Sequence, residues 1–367
     1  MNRNKVLRNR VSLLFVSVIS FLGCFSTGTG SGIALELSVQ QAFELRMNGN
    51  ADSAQVMLQQ ILTGDSSNHA AWYELARTTQ HILLGNPRAM MGGLSDLQTT
   101  INRAVELDPD NVIYAFYNAQ IHHLQAYVAL MRDRSAAKEE VGKTVSAYTT
   151  VLELDPDYDE VVLYLVELLG IPEEMGGDAA KADKYAAELE KRDAVLGAKA
   201  KELRLPEDAD RVEFWQGILE QNPGHADVLE QLGKAYLHQD DDENGREYLE
   251  KAMAADADKK LLLLDLARYY FMQSRDEDKA ATVLPAAGQA IERYLESEPP
   301  LILKAYALQG LARVKMGLGA EEEGKRLQAE AEALDRNVSK AFAIPSPILL
   351  SKPDQVIRYH SYFFRPL

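Results

Sequence analysis

A single cysteine, Cys24, stands in the 367 residues. No internal disulfide is available, so the fold must hold by packing alone. Runs of β-branched and aromatic residues of the kind that build strands are scarce after residue 35, which argues against a sheet. The apolar stretch VSLLFVSVISFLG covers 13 residues (11–23), too short to cross a bilayer comfortably. Positive charge is short as well. Lys and Arg number 39 against 55 Asp and Glu, a formal net charge of −16. A chain this acidic is a poor candidate for binding nucleic acid or an anionic membrane surface.

Signatures of catalysis are missing too. There is no H-E-x-x-H, no G-K-[ST] following either glycine pair and no serine on a plausible elbow. The histidines (69, 81, 122, 123, 225, 238 and 360) are not paired at metal-ligand spacing on a helix, and no cysteine can join them. With no nucleophile matched to a base, the expectation is a non-enzyme without cofactor or metal. The nearest miss is DDDENGREYLEK (240–251). Asp240, Asp242, Asn244 and Gly245 match the first half of a calcium loop, but Lys251 stands where the twelfth position needs Glu. A solvated turn with acids at a helix start explains the stretch, with weak calcium binding as the alternative.

What is present begins with a leader. MNRNKVLRNR carries four basic residues and no acid, and the 13-residue apolar stretch follows. That pattern is a signal peptide over residues 1–34, so the protein is expected to be exported to the periplasm or tethered in the envelope. Two ends fit. SFLGC resembles the lipobox of bacterial lipoproteins, although Phe21 and Leu22 depart from it; Cys24 would then carry lipid and FSTGTGSG would be the tether. Cleavage after Ala34, with Gly32 and Ala34 as the small residues, is the other. Membrane association is expected only through such an anchor.

A period of 34 organises the rest. Shifting ADVLEQLGKAYLHQ (226–239) by 34 gives KLLLLDLARYYFMQ (260–273). Leu229 falls on Leu263, Leu232 on Leu266, Gly233 on Ala267 and Tyr236 on Tyr270. Apolar, apolar, small and aromatic at offsets 0, 3, 4 and 7 make one face of a helix, and the small residue lets a second helix cross closely. That helix follows in NGREYLEKAMAAD, with Gly245, Leu249 and Ala252 on its inner face. The unit resembles the helix–turn–helix of the tetratricopeptide repeat family, sharply in two or three units and loosely over residues 35–336. The resemblance implies an all-α, right-handed solenoid of about eight irregular units. Pro109 to Pro156 spans 47 residues, an excess over 34 that should lengthen the helices into protruding hairpins. Residues 337–367 read as an extended tail that either caps the last unit or docks into the groove or onto a partner.

Two glycine pairs echo each other, in NPRAMMGGLSDL (86–97) and IPEEMGGDAAKA (171–182). Without a Lys to meet phosphate they are not ligand loops. Each is expected to turn the chain between the two helices of a unit, with Ser95 and Asp178 as N-caps.

In the tetratricopeptide family, positions 2, 5, 9, 12 and 13 of the first helix line a concave groove. Carried over, these positions nominate Tyr73, Arg77, Phe116, Gln120, Lys234, His238, Arg268, Phe271 and Arg313 as partner-binding residues. The bland alternative is that the cations pair with acids of neighbouring units. The resemblance implies a scaffold that binds a protein or peptide partner. The P-x-x-M-G-G-D-x-x-K-A element (172–182) is also similar to one in the periplasmic repeat lipoproteins of tripartite (TRAP) solute transporters. That likeness implies, as a second reading, help in handling a small-molecule ligand. An aromatic through-pore would favour it, and an open charged groove would favour the scaffold.

Overall fold

The computed structural model describes residues 31–132, 134–340 and 347–355. Most of the expected signal peptide, Cys24 included, and residues 356–367 of the expected tail lie outside the described residues. Sixteen helices run in pairs: α1 (Ser31–Met47) with α2 (Ala51–Gly64), α3 (His69–Leu84) with α4 (Pro87–Leu107), α5 (Val112–Arg132) with α6 (Arg134–Leu154), and α7 (Asp159–Leu169) with α8 (Ala179–Arg192). Next come α9 (Ala194–Arg204) and α10 (Arg211–Gln221), α11 (Ala226–His238) and α12 (Asp242–Ala255), α13 (Leu262–Gln273) and α14 (Glu277–Glu296), and α15 (Leu301–Gly317) and α16 (Glu321–Leu334). A one-turn helix, α17, covers Pro347–Leu350. No strand occurs among the described residues. The chain is an all-α solenoid of about eight units.

The repeat face packs as its residue sizes demand. At the α11–α12 crossing, a Cβ on Gly233 would lie 3.1 Å from the Gly245 carbonyl oxygen, and one on Gly245 only 2.5 Å from the Leu237 side chain. A Cβ at Gly245 would therefore force the Leu237 side chain to move, and one at Gly233 would crowd Leu249. The surplus of the stretched units goes into helix length, with α4, α5 and α6 at 21 residues each.

One unit departs from the pattern. α9 packs on α7 and α8, while α10 packs on α11. The cause is in the sequence. Lys199, 34 residues before Gly233, stands where close crossing needs a small residue. Gly197 lies two positions earlier, on the opposite face, and a Cβ there would sit 2.3 Å from the Glu190 Cα of α8. α9 therefore presents its close-approach face backward.

The two glycine pairs do not play one role. Gly176 takes φ +101 after a short 3₁₀ turn (Glu173–Met175), and Asp178 caps α8 by accepting from the Lys181 amide. Gly92 and Gly93 instead lie inside α4, which Asn86 caps. Ser95 is mid-helix and no N-cap, and the turn comes earlier because Pro87 suits the first helical position.

The array also closes on itself. A Cβ on Gly49 (φ +78) in the α1–α2 turn would lie 1.9 Å from the Leu334 carbonyl oxygen at the end of α16. Arg336 Nη2 reaches Asp52 Oδ2 of α2 at 2.5 Å. Gly85, after α3, faces the Asn337 backbone, and Val338 and Leu349 are fully buried. Eight units thus complete one turn, and the segment after α16 meets the first two units.

The glycine pairs should respond oppositely to alanine. A Cβ on exposed Gly92 meets nothing within 4 Å, so Gly92→Ala should raise stability by about 0.5–1 kcal/mol. A Cβ on Gly177 would lie 1.7 Å from the Ile171 carbonyl oxygen, so Gly177→Ala should cost on the order of 2 kcal/mol. Urea denaturation of the two variants would show shifts of opposite sign.

Candidate functional site

The first helices of successive units carry the side chains that cross between units. Three blocks follow one another. The first joins α1, α3 and the segment after α16. Arg46 Nε donates to Glu74 Oε1 at 2.6 Å, and Arg77 Nη1 lies 3.5 Å from Glu74 Oε2. All three side chains are fully buried. Arg46 Nη1 donates to the Leu349 carbonyl at 2.6 Å, and Arg77 Nη2 donates to the Ser351 carbonyl. Four residues along α3, His81 Nε2 lies 2.7 Å from Asp335 Oδ2, again with both side chains buried. Burial pushes the Asp335 carboxyl up. His81 and the amides of Val338 and Asn337 outweigh that and hold it below the usual range.

The second block is aromatic and spans α3 to α7. Tyr73 stacks obliquely on Tyr114 with centroids 4.8 Å apart and meets the edge of Tyr117 at 5.6 Å. Tyr148 stacks on Tyr164 at 5.1 Å, and Phe116 lies 5.2 Å from Tyr158. The Tyr148 hydroxyl accepts from Gln120 Nε2 at 2.6 Å and lies 2.9 Å from His123 Nδ1. Burial lowers the His123 pKa to about 3, so its ring is neutral at ordinary pH.

The third block is an ionic ladder. Asp227 pairs with Lys199 at 2.7 Å and with Lys259 at 2.5 Å. Glu230 pairs with Lys259 and Lys234, both at 2.6 Å. Lys234 reaches Asp265 at 3.7 Å, and Arg268 reaches the same carboxylate at 3.5 Å. Burial works against the charge of Glu230, but Lys234, Lys259 and Lys199 bring its pKa down to about 2. At Asp265 burial prevails over Lys234 and Arg268, and its carboxyl is raised.

The nine groove candidates divide between these blocks. Tyr73, Arg77, Phe116 and Gln120 are buried and present nothing to solvent. Ring closure seals Arg77, and the aromatic block encloses the other three. Lys234 and Arg268 are partly exposed but engaged with acids, the bland alternative for these cations. Phe271 is partly exposed, and His238 and Arg313 are exposed. The calcium near-miss is otherwise engaged. Asn244 donates to Asp241 Oδ2 at 2.8 Å, Asp242 faces Arg246 at 3.4 Å, and Asp240 accepts from Gln273 at 2.7 Å. Among the described residues no group of three or more His, Cys, Asp or Glu could hold a metal ion. Nor is any helix among them long and apolar enough to cross a membrane.

Sequence reasoning missed Arg46, Glu74, the His81–Asp335 pair and the Lys199–Asp227–Lys259–Glu230 links. A signal existed. YELAR (73–77) and LDLAR (264–268) each place an acid inside an apolar run with Arg three residues on. An acid on a core face needs a partner.

No protein-family model matches the chain, and no curated protein matches it. Solved structures similar to it include a tetratricopeptide repeat protein from Parabacteroides merdae ATCC 43184. The two share 14% identity over 83% of this chain and 94% of that one, with a TM-score of 0.35. PilW, a type IV pilus biogenesis factor, shares 14% identity over 83% and 94%, with a TM-score of 0.28. YrrB, a repeat protein with an unusual peptide-binding site, shares 16% identity over 60% and 86%, with a TM-score of 0.27. Likenesses this distant add nothing to what the chain's own helix pairs and crossing glycines show, an all-α array of paired helices.

The ladder has a pH signature. Glu230 has a folded pKa depressed from 4.5 to about 2, so its contribution is whole above about pH 4.5 and is lost as pH falls toward 2. Unfolding free energies from urea titrations across that window should fall more steeply for wild type than for Lys259→Met, by on the order of 2 kcal/mol.

Proposed function

We propose that this tetratricopeptide-type array is an exported, non-catalytic scaffold that takes a protein or peptide partner on the first helices of units six to eight. The observation that supports this is the placement of Lys234, His238, Arg268, Phe271 and Arg313 on α11, α13 and α15, where solvent reaches all five. Basic and aromatic side chains at matching positions of consecutive helices suit a bound segment running across them. The fold by itself names no partner.

Export rests on the leader. α1 starts at Ser31, so a cut after Ala34 would remove its first turn, whereas a cut before Cys24 leaves the helix whole. That favours the lipid-tethered form. The second reading, an accessory of a periplasmic solute transporter, draws no support from the aromatic block of α3 to α7, whose side chains are packed shut and line no through-pore.

Two experiments test these readings. In a pull-down from an envelope extract, Arg268→Glu should lower recovery of a defined partner about fivefold against the wild-type array at equal helix content. Equal recovery would remove the groove reading. Wild type should incorporate labelled fatty acid and fractionate with membranes, and Cys24→Ser should do neither. An unlabelled wild type would favour cleavage after Ala34.

A further inference from the structure

We propose that Arg46 and Arg77, with Glu74 between them, form a peptide-reading seat that residues 349–351 fill in cis. An acidic segment of the partner protein would take the same seat in trans. The inference deepens the reading above and rests on the partner being a protein or peptide.

The seat is built before anything enters it. Arg46 and Arg77 both lie over the Phe43 ring, at 5.5 and 5.6 Å from its centroid, and Arg77 also lies over Tyr73 at 5.2 Å. Glu74 ties the two guanidinium groups together from below. Such stacked, paired guanidiniums are held in one orientation. They read the occupant through main-chain carbonyls two residues apart, those of Leu349 and Ser351. Only Leu349 adds a buried side chain to the occupant among the described residues 349–355.

The resident segment fits the seat incompletely. The seat holds two cations and one anion, an excess of one positive charge. Of the acids in the described segment after α16, Asp335 is engaged by His81 and by the amides of Asn337 and Val338, and Asp354 is exposed. Residues 349–351 bring neutral carbonyls only, and Lys352 beside them has the wrong sign. Among the described residues, three buried donors, Arg46 Nη2, Arg77 Nε and Arg77 Nη1, have no hydrogen-bond partner, and of these only Arg77 Nη1 faces a carboxylate oxygen, Glu74 Oε2, which is likewise unbonded. A buried guanidinium N–H without an acceptor is a cost that an occupant with a carboxylate would remove. An acidic segment therefore outcompetes the resident one, and its arrival releases residues 349–351 from the first two units.

The test uses the full chain and two labelled peptides. One carries residues 345–355, and the other carries the same residues with Lys352→Glu. Leu349→Lys in the protein vacates the seat, and Leu349→Lys with Arg77→Gln disables it. By anisotropy, the acidic peptide should bind Leu349→Lys about tenfold more tightly than the unmodified peptide does, and Arg77→Gln should abolish the difference. Equal affinity of the two peptides, or binding indifferent to Arg77→Gln, would overturn the proposal. Native-state hydrogen exchange on wild type is independent of the variants' folding. The acidic peptide should accelerate exchange of amides 348–355 while α3 stays protected. If those amides and α3 open only together, the segment is part of the core and the seat is not a ligand site. Should the seat fail while Arg268→Glu still loses the partner, only the seat falls.

Discussion

Two arginines taken out of water govern this structure. Arg46 and Arg77 lie on the first helices of the first two units, where a repeat array ordinarily buries aliphatic and small side chains. Removing a guanidinium from water costs several kcal/mol unless charge and hydrogen bonds replace the hydration. Glu74 supplies the charge, but it cannot fill two forks. The remaining acceptors come from backbone carbonyls 303 and 274 residues away. Meeting that demand draws the segment after α16 onto the first units. Asp335–His81 and Arg336–Asp52 then become possible as neighbours. Closure follows from local electrostatics in unit one as much as from the curvature of the stack.

A repeat array is commonly a one-dimensional chain of nearest-neighbour interfaces, with terminal units that need caps. Closure changes that logic. The first and last units cap each other, and no apolar end face needs a dedicated terminal helix. It also divides the inner surface. Units two to four turn aromatic side chains inward and seal them, while units five to seven hold a ladder of alternating acids and bases. One half is insulated by packing and the other is held by charges that solvent partly reaches.

Much of this was legible in the residues. The period of 34, the crossing pair Gly233 and Gly245 and the lengthened third unit all follow from size and spacing, because helix geometry maps sequence distance directly onto contact. The second glycine pair, Gly176 and Gly177, was legible for the same reason. Its echo misled because MGG is compatible with a helix interior once Asn86 and Pro87 have started the helix earlier. The displacement of α9 was readable in principle from Lys199 and Gly197. Closure was not readable. It depends on which carbonyl meets Arg46, and a main-chain acceptor leaves no trace in the identity of Leu349 or Ser351. The same blindness explains the groove residues. Position along a first helix identifies Tyr73 and Arg77 as inward, but only the full turn of the array decides whether inward means open or sealed.

Joining Arg46 and Arg77 to carbonyls at 349 and 351 has a bearing on biogenesis. Unit one cannot reach its final state while residues 335–351 are still unmade, since its buried cations lack their acceptors until then. Loop closure over such a separation is slow compared with forming a single hairpin. The middle units, whose contacts are local, can condense first, with the opening pair of helices waiting as the last piece to set. A chain that leaves its own beginning unfinished until its far end arrives stays threadable for longer. On the proposed export reading, that delay is an advantage built into where its charges sit.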